Sequence, residues 1–243
     1  MAFHTECHIP AQGAIDDKIF RQNNNHLIGG TKLMTPDQLR NKHRLEKEWC
    51  EGNEYIPDLE WQFVGWENAQ AQLLRFDVLL SAVKLEGKSL LDVGCGVGNL
   101  LEYLNQRNIS VDYTGVDLIE RMISLAQSKN LKGSFYHLDL FESNPFPNHS
   151  FDIVFASGIF CVDFGNNEQF LKLAINTMAT LAREAIVFNF LHKNSPDKEL
   201  GFSYSDPMEI KLMVEKLLSK AEVSIIEGYL DNDFTVVCRL NAK

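Results

Sequence analysis

Four residues near the middle of the chain have the types and spacing of a ligand cradle. Asp92 is followed by Gly94, Gly96 and Gly98 at alternate positions, between an apolar run (Leu90, Leu91, Val93) and the helix-spaced NLLEYLNQ. Glycines let a backbone approach a ligand closely, and a helix that begins beside them offers unpaired N–H groups. A dinucleotide fingerprint is G-x-G-x-x-G, with its last glycine one residue later. A phosphate loop ends in Gly-Lys-Ser/Thr, where this chain has Gly98-Asn99-Leu100. A second acid, Asp117, closes the short apolar stretch Tyr113–Val116, about 20 residues beyond the last glycine, where an acid can hydrogen-bond a ribose diol.

These residues need strands to present them. Leu90–Val93, Tyr113–Asp117, Ser134–His137 and Phe151–Ala156 read as four short strands. Glu184–Leu191 reads as a fifth. Val223–Tyr229 and Phe234–Leu240 form a final hairpin, with Asp231-Asn232-Asp233 as its turn. Helices are expected after Pro36, over 67–83, over 166–181 and from Pro207.

The ordered segments GxGxG, VD, LDL and FDIVFASG resemble those of the class I S-adenosylmethionine (SAM)-dependent methyltransferases, from Gly87 to about Leu240. The resemblance implies a Rossmann-like α/β fold. Its doubly wound, seven-stranded sheet is mostly parallel with an antiparallel last strand. Residues 87–243 would form the SAM-binding methyltransferase domain, and residues 1–86 an N-terminal helical extension or lid. Asp117 would hold the ribose, with Gly94, Gly96 and Gly98 against the methionine moiety and Asp92 near its ammonium. Leu118 and Leu140 would sandwich adenine, Asp139 would accept from its amine, and Met122, Ser157 and Gly158 would complete the cofactor contacts. Within the extension, Trp66, Gln72 and Arg75 are candidates to reach SAM or the acceptor, Arg75 through a carboxylate.

Composition narrows the acceptor. Among 243 residues, 45% are hydrophobic and 23% charged, as in a globular chain, and the formal net charge is −10 with no Lys/Arg cluster. That disfavours nucleic acid, so a small-molecule acceptor is expected. Five scattered cysteines without a C-x-x-C pair suggest reduced thiols in a cytoplasmic protein. No membrane-spanning run and no metal centre are expected; His4, Cys7 and His8 lack a matching ligand set. Ala156-Ser157-Gly158-Ile159 departs from the Asn/Asp-Pro-Pro-aromatic segment of amino-methyltransferases acting on bases or glutamine. Cys161 lacks the preceding proline of cytosine-5 methyltransferases. Asp163, His192 and Tyr204, in loops or after strand ends, are candidates for a catalytic role. Two other readings stay open: a non-catalytic SAM-binding or interaction protein, and a nicotinamide-dependent oxidoreductase.

Overall fold

The structure, a computed structural model, describes residues 55–163, 165 and 167–241. The helix expected after Pro36 and the His4, Cys7 and His8 group lie outside the described residues.

The strands are β1 (Ser89–Val93), β2 (Asp112–Asp117), β3 (Ser134–His137), β4 (Phe151–Ala156), β5 (Ala182–His192), β6 (Tyr204–Ser205), β7 (Glu222–Ile226) and β8 (Asp233–Arg239). They form one sheet in the order β3-β2-β1-β4-β5-β8-β7, with the two-residue β6 beside β5. β8 runs antiparallel to both neighbours, and the other pairings are parallel. This is the expected Rossmann-like sheet, extended by β6. The chain leaves β1 toward β2 and β3 on one side and returns through β4 and β5 on the other. Such a reversal opens a crevice at the strands' carboxyl ends.

Successive apolar residues along each strand are buried on opposite faces, so both faces need helical cover. Leu90, Ile153, Val187 and Val237 pack with Phe76 and Leu79 of α2 (Ala69–Ala82) and Leu101 of α3 (Asn99–Gln106). Their neighbours Leu91, Val154, Ile186 and Val236 pack with Ala174 and Met178 of α5 (Asn167–Leu181) and Val214 of α6 (Pro207–Leu217). Helix α4 (Glu120–Ser128), which the sequence reading did not single out, follows β2.

Local chemistry sets the helix starts. The Asn68 side chain accepts the Ala71 N–H at 2.8 Å to open α2, and Asp206 caps α6 with Pro207 in its first turn. A short helix, α1 (Glu60–Phe63), precedes α2. Glu60 accepts from Asn99 Nδ2 at 2.7 Å and Lys129 Nζ at 2.6 Å, tying α1 to the first turn of α3 and the end of α4. Phe63 is buried among Val97, Ile119 and Met122. The segment from Tyr55 is thereby fastened across the carboxyl edge of the sheet.

Two sequence expectations at the last hairpin change. The strand expected over Val223–Tyr229 stops at Ile226, and Asp233 is the first residue of β8, 1% exposed, rather than part of the turn. It carries a buried salt bridge, described below.

Candidate functional site

At the crevice lies a cavity of about 1130 Å³. Ordinary small-molecule sites occupy roughly 300–1,000 Å³, and this one lies just above that range. Its inner wall takes Asp92, Gly94 and Gly96 from β1 and its loop, Asp117 and Leu118 from the end of β2, and Met122 from α4. Asp139 and Leu140 follow β3, Ser157 and Gly158 follow β4, and Arg75 and Tyr204 also line the cavity. Residues distant in sequence thus converge because parallel strands all deliver their carboxyl ends to one edge.

Asp117 is fixed by the loop it serves. Its Oδ2 accepts the Gly96 N–H at 2.8 Å and its Oδ1 the Ile119 N–H at 2.8 Å. Gly96 has φ +54°, and a β-carbon there would lie 3.0 Å from Val64 Cγ1. The left-handed turn therefore aims an N–H at the carboxylate while the extension packs over it. Burial pushes the Asp117 carboxyl up, and the Ile119 and Gly96 N–H groups oppose that shift. Each oxygen keeps acceptor capacity beyond its one N–H, as a diol requires.

Asp92 is 4% exposed and accepts the Tyr113 hydroxyl at 2.5 Å. Burial raises its carboxyl to about 7; the Tyr113 hydrogen bond works against this, and the nearby Asp117 charge adds to it. A carboxyl so tuned switches charge near neutrality, and a cationic group beside it would favour the ionised form.

Arg75, which lines the cavity, belongs to a buried polar network behind it. Arg75 donates from Nε to Asp233 Oδ2 at 3.0 Å, from Nη2 to the same oxygen at 2.5 Å, and from Nη1 to the Ala71 carbonyl at 2.7 Å. Its guanidinium also lies 4.3 Å from the Trp66 ring centroid. Asn189 donates to both Asp233 oxygens and accepts the Gly158 N–H at 2.9 Å. Tyr229 donates its hydroxyl to Asp233 as well. This network joins α2, β5, β8 and the turn after β4, so the extension and the Ser157-Gly158 turn are placed by the same carboxylate.

Several sequence expectations are revised by this geometry. Gly98 stays off the cavity wall: with φ +83° it forms the N-cap of α3, and Phe135 and Leu131 fill the space where a β-carbon would stand. Asp163 accepts the Gly165 N–H, and His192 holds the Asn194 N–H and contacts Glu227; neither lines the cavity. Tyr204 does line it, with its hydroxyl accepting the Glu199 N–H at 2.9 Å. Asp139 Oδ1 closes a turn by accepting from Phe141 and Glu142 N–H groups, while the residue faces the cavity. Arg75 is neither solvated nor a free fork, because Asp233 already holds it. Asn189 was missed, although a single amide in the apolar run Ile186–Leu191 was the available signal.

Comparison with known proteins agrees with this geometry. Residues 90–181 match the family model described as "Methyltransferase domain". A Mycobacterium tuberculosis protein named as a methyltransferase (Rv1506c) is 27% identical over 157 residues, 62% of this chain and 92% of the relative. The trans-aconitate 2-methyltransferase of Afipia carboxidovorans is 28% identical over 113 residues, 46% of this chain and 43% of the relative. Among solved structures, the SAM-bound magnesium protoporphyrin IX methyltransferase of Synechocystis PCC 6803 shares the fold. It has TM-score 0.57 and 17% identity, with 87% of this chain and all of that chain covered.

Proposed function

We propose that the chain is a SAM-dependent methyltransferase that methylates a small molecule held in the same cavity as the cofactor; the methyltransferase model matched over residues 90–181, the methyltransferase relatives and the shared fold support this reading. The observation that carries this reading is the cavity itself, whose volume lies just above the ordinary small-molecule range and whose inner wall holds Asp92, Asp117 and Ser157. The formal net charge of −10 supports a small-molecule acceptor over a polyanionic one.

The residues present suit the cofactor. Asp117 has lone pairs left for a ribose diol, Asp92 can face an ammonium, and Leu118 and Leu140 offer apolar surfaces to a purine. Ser157 Oγ is buried at the cavity without a hydrogen-bond partner among the described residues. A buried hydroxyl in that state is completed by a ligand or an ordered water. Bound SAM supplies an electrophilic methyl group on a sulfonium.

The chain's own contribution is placement and exclusion of water. The network through Asn189 and Asp233 sets the Gly158 turn at the end of β4. Val64 and Trp66 lie over Gly96 and Gly158, with hypothetical β-carbons at those glycines 3.0 and 3.1 Å away. We propose that the described part of the extension, residues 55–86, is the lid in this arrangement and that residues from 87 onward form the transfer domain. No proton acceptor is needed for an acceptor that is already nucleophilic.

The test is incubation of the protein with methyl-labelled SAM and a metabolite extract. A labelled low-molecular-weight product that requires the protein supports the reading. Label confined to macromolecules, or absent altogether, overturns it.

A further inference from the structure

The cavity wall is strongly one-sided in charge. Seven acidic side chains line it, and among the described residues Arg75 is the one basic side chain there. Asp233 already pairs with that guanidinium, so the wall presents no free cation to a ligand. Glu67, Asp197, Glu199 and Asp231 stand exposed at the wall. None of these four is in an ion pair among the described residues.

Apolar rings complete this side. Trp66, Phe202 and Tyr204 line the cavity near the acids in sequence, and Phe202 is 41% exposed, more than a ring of its size gains from in water. A second observation points to a ligand. Gln72, 7% exposed, lines the cavity from α2, and its side-chain amide makes no hydrogen bond among the described residues. Open to the cavity and without an internal partner among those residues, this amide keeps donors and an acceptor for a bound molecule.

We propose that the cavity takes an acceptor that is neutral or cationic and carries a ring. Its polar group would be read by Gln72, and carboxylate-bearing acceptors would be rejected by the acidic wall. This rests on the methyltransferase reading and narrows its substrate class. It separates the chain from its relative named for trans-aconitate, a tricarboxylate. An anionic acceptor here meets like charges at the rim and, among the described residues, no free protein cation to offset them, and such repulsion selects by penalising the wrong ligand.

The test uses protein saturated with S-adenosylhomocysteine (SAH) and three probes with one ring system: tryptamine, tryptophol and indole-3-acetate. Binding is followed by saturation-transfer NMR and titration at low and high salt. We expect the amine and the alcohol to bind at least about tenfold tighter than the carboxylate, or about 1.4 kcal/mol. The gap between amine and carboxylate should shrink at high salt, since exposed charges are screened. In the double variant Glu199→Lys/Asp231→Lys, both sites exposed, the carboxylate probe should gain and the amine lose. Gln72→Leu should weaken tryptophol about tenfold while SAH affinity holds. Equal or tighter binding of the carboxylate, a preference unmoved by charge reversal, or no binding of any probe overturns the inference. Failure to bind SAH would instead overturn the reading beneath it.

Discussion

Arg75 and Asp233 form a buried ion pair that spans 158 residues of sequence, with two guanidinium nitrogens donating to one carboxylate oxygen. Their side chains are 4% and 0% exposed. Removing one partner of such a pair leaves a buried charge without compensation, which typically costs about 3–5 kcal/mol. Arg75→Ala should therefore destabilise the ligand-free protein by an amount of that order. Chemical denaturation of the variant beside wild type checks this. Arg75→Lys should recover part of the loss, because it restores charge without the fork. An unchanged denaturation midpoint in Arg75→Ala would show that the pair contributes nothing.

The same pair shows where the sequence stopped being informative. Arg75 alone on an amphipathic stretch suggests a lid side chain seeking a ligand carboxylate, and Asp231-Asn232-Asp233 suggests a turn. Nothing local in either segment says that α2 crosses the start of β8. By contrast, Asp92, Asp117 and Gly96 were legible, because their meeting depends only on two adjacent parallel strands and the loop between them. The family resemblance of the D-x-G-x-G-x-G series implies a ligand contact for Gly98, whereas its left-handed geometry serves to cap α3. The strand pair β5 and β6 was half legible: the stretch Ala185–Leu191, apolar but for Asn189, shows, whereas Tyr204–Ser205 is too short for periodicity.

Asp92 predicts a pH dependence. Its folded carboxyl lies near 7, against an ordinary value of 3.8, chiefly because it is buried. A carboxyl raised on folding binds its proton more tightly in the native state. Its contribution to stability is therefore full below about 4 and is lost as pH rises toward 7. Asp92→Asn should flatten that part of the stability curve, measured by denaturation from pH 4 to 8. In wild type, SAM binding should also release protons near neutrality, since a cation beside Asp92 favours the ionised form. Titration calorimetry in buffers of different ionisation enthalpy reads this directly, and no buffer dependence would count against the contact.

Asp117 joins structure to recognition, so the choice of variant matters. Asp117→Ala removes the acceptor for both the Gly96 and Ile119 N–H groups, and it should lower stability as well as affinity. Asp117→Asn retains one carbonyl oxygen and the shape. Hydrogen bonds to a charged group are worth about 1.5–3 kcal/mol. Asp117→Asn should therefore weaken SAM binding by at least about tenfold, with a smaller loss of stability than Asp117→Ala. Calorimetric titration that found wild-type affinity in both variants would move the ribose elsewhere.

The central claim is that this cavity binds SAM, and thermal unfolding with added ligand tests it most directly. At a hundredfold excess over its dissociation constant, a ligand that binds only the folded state adds about 2.7 kcal/mol. For a chain of this length that is roughly 5–10 °C in melting temperature. SAM and SAH should each produce a rise of that order, and NAD should produce none. A rise with NAD and none with SAM would contradict the account.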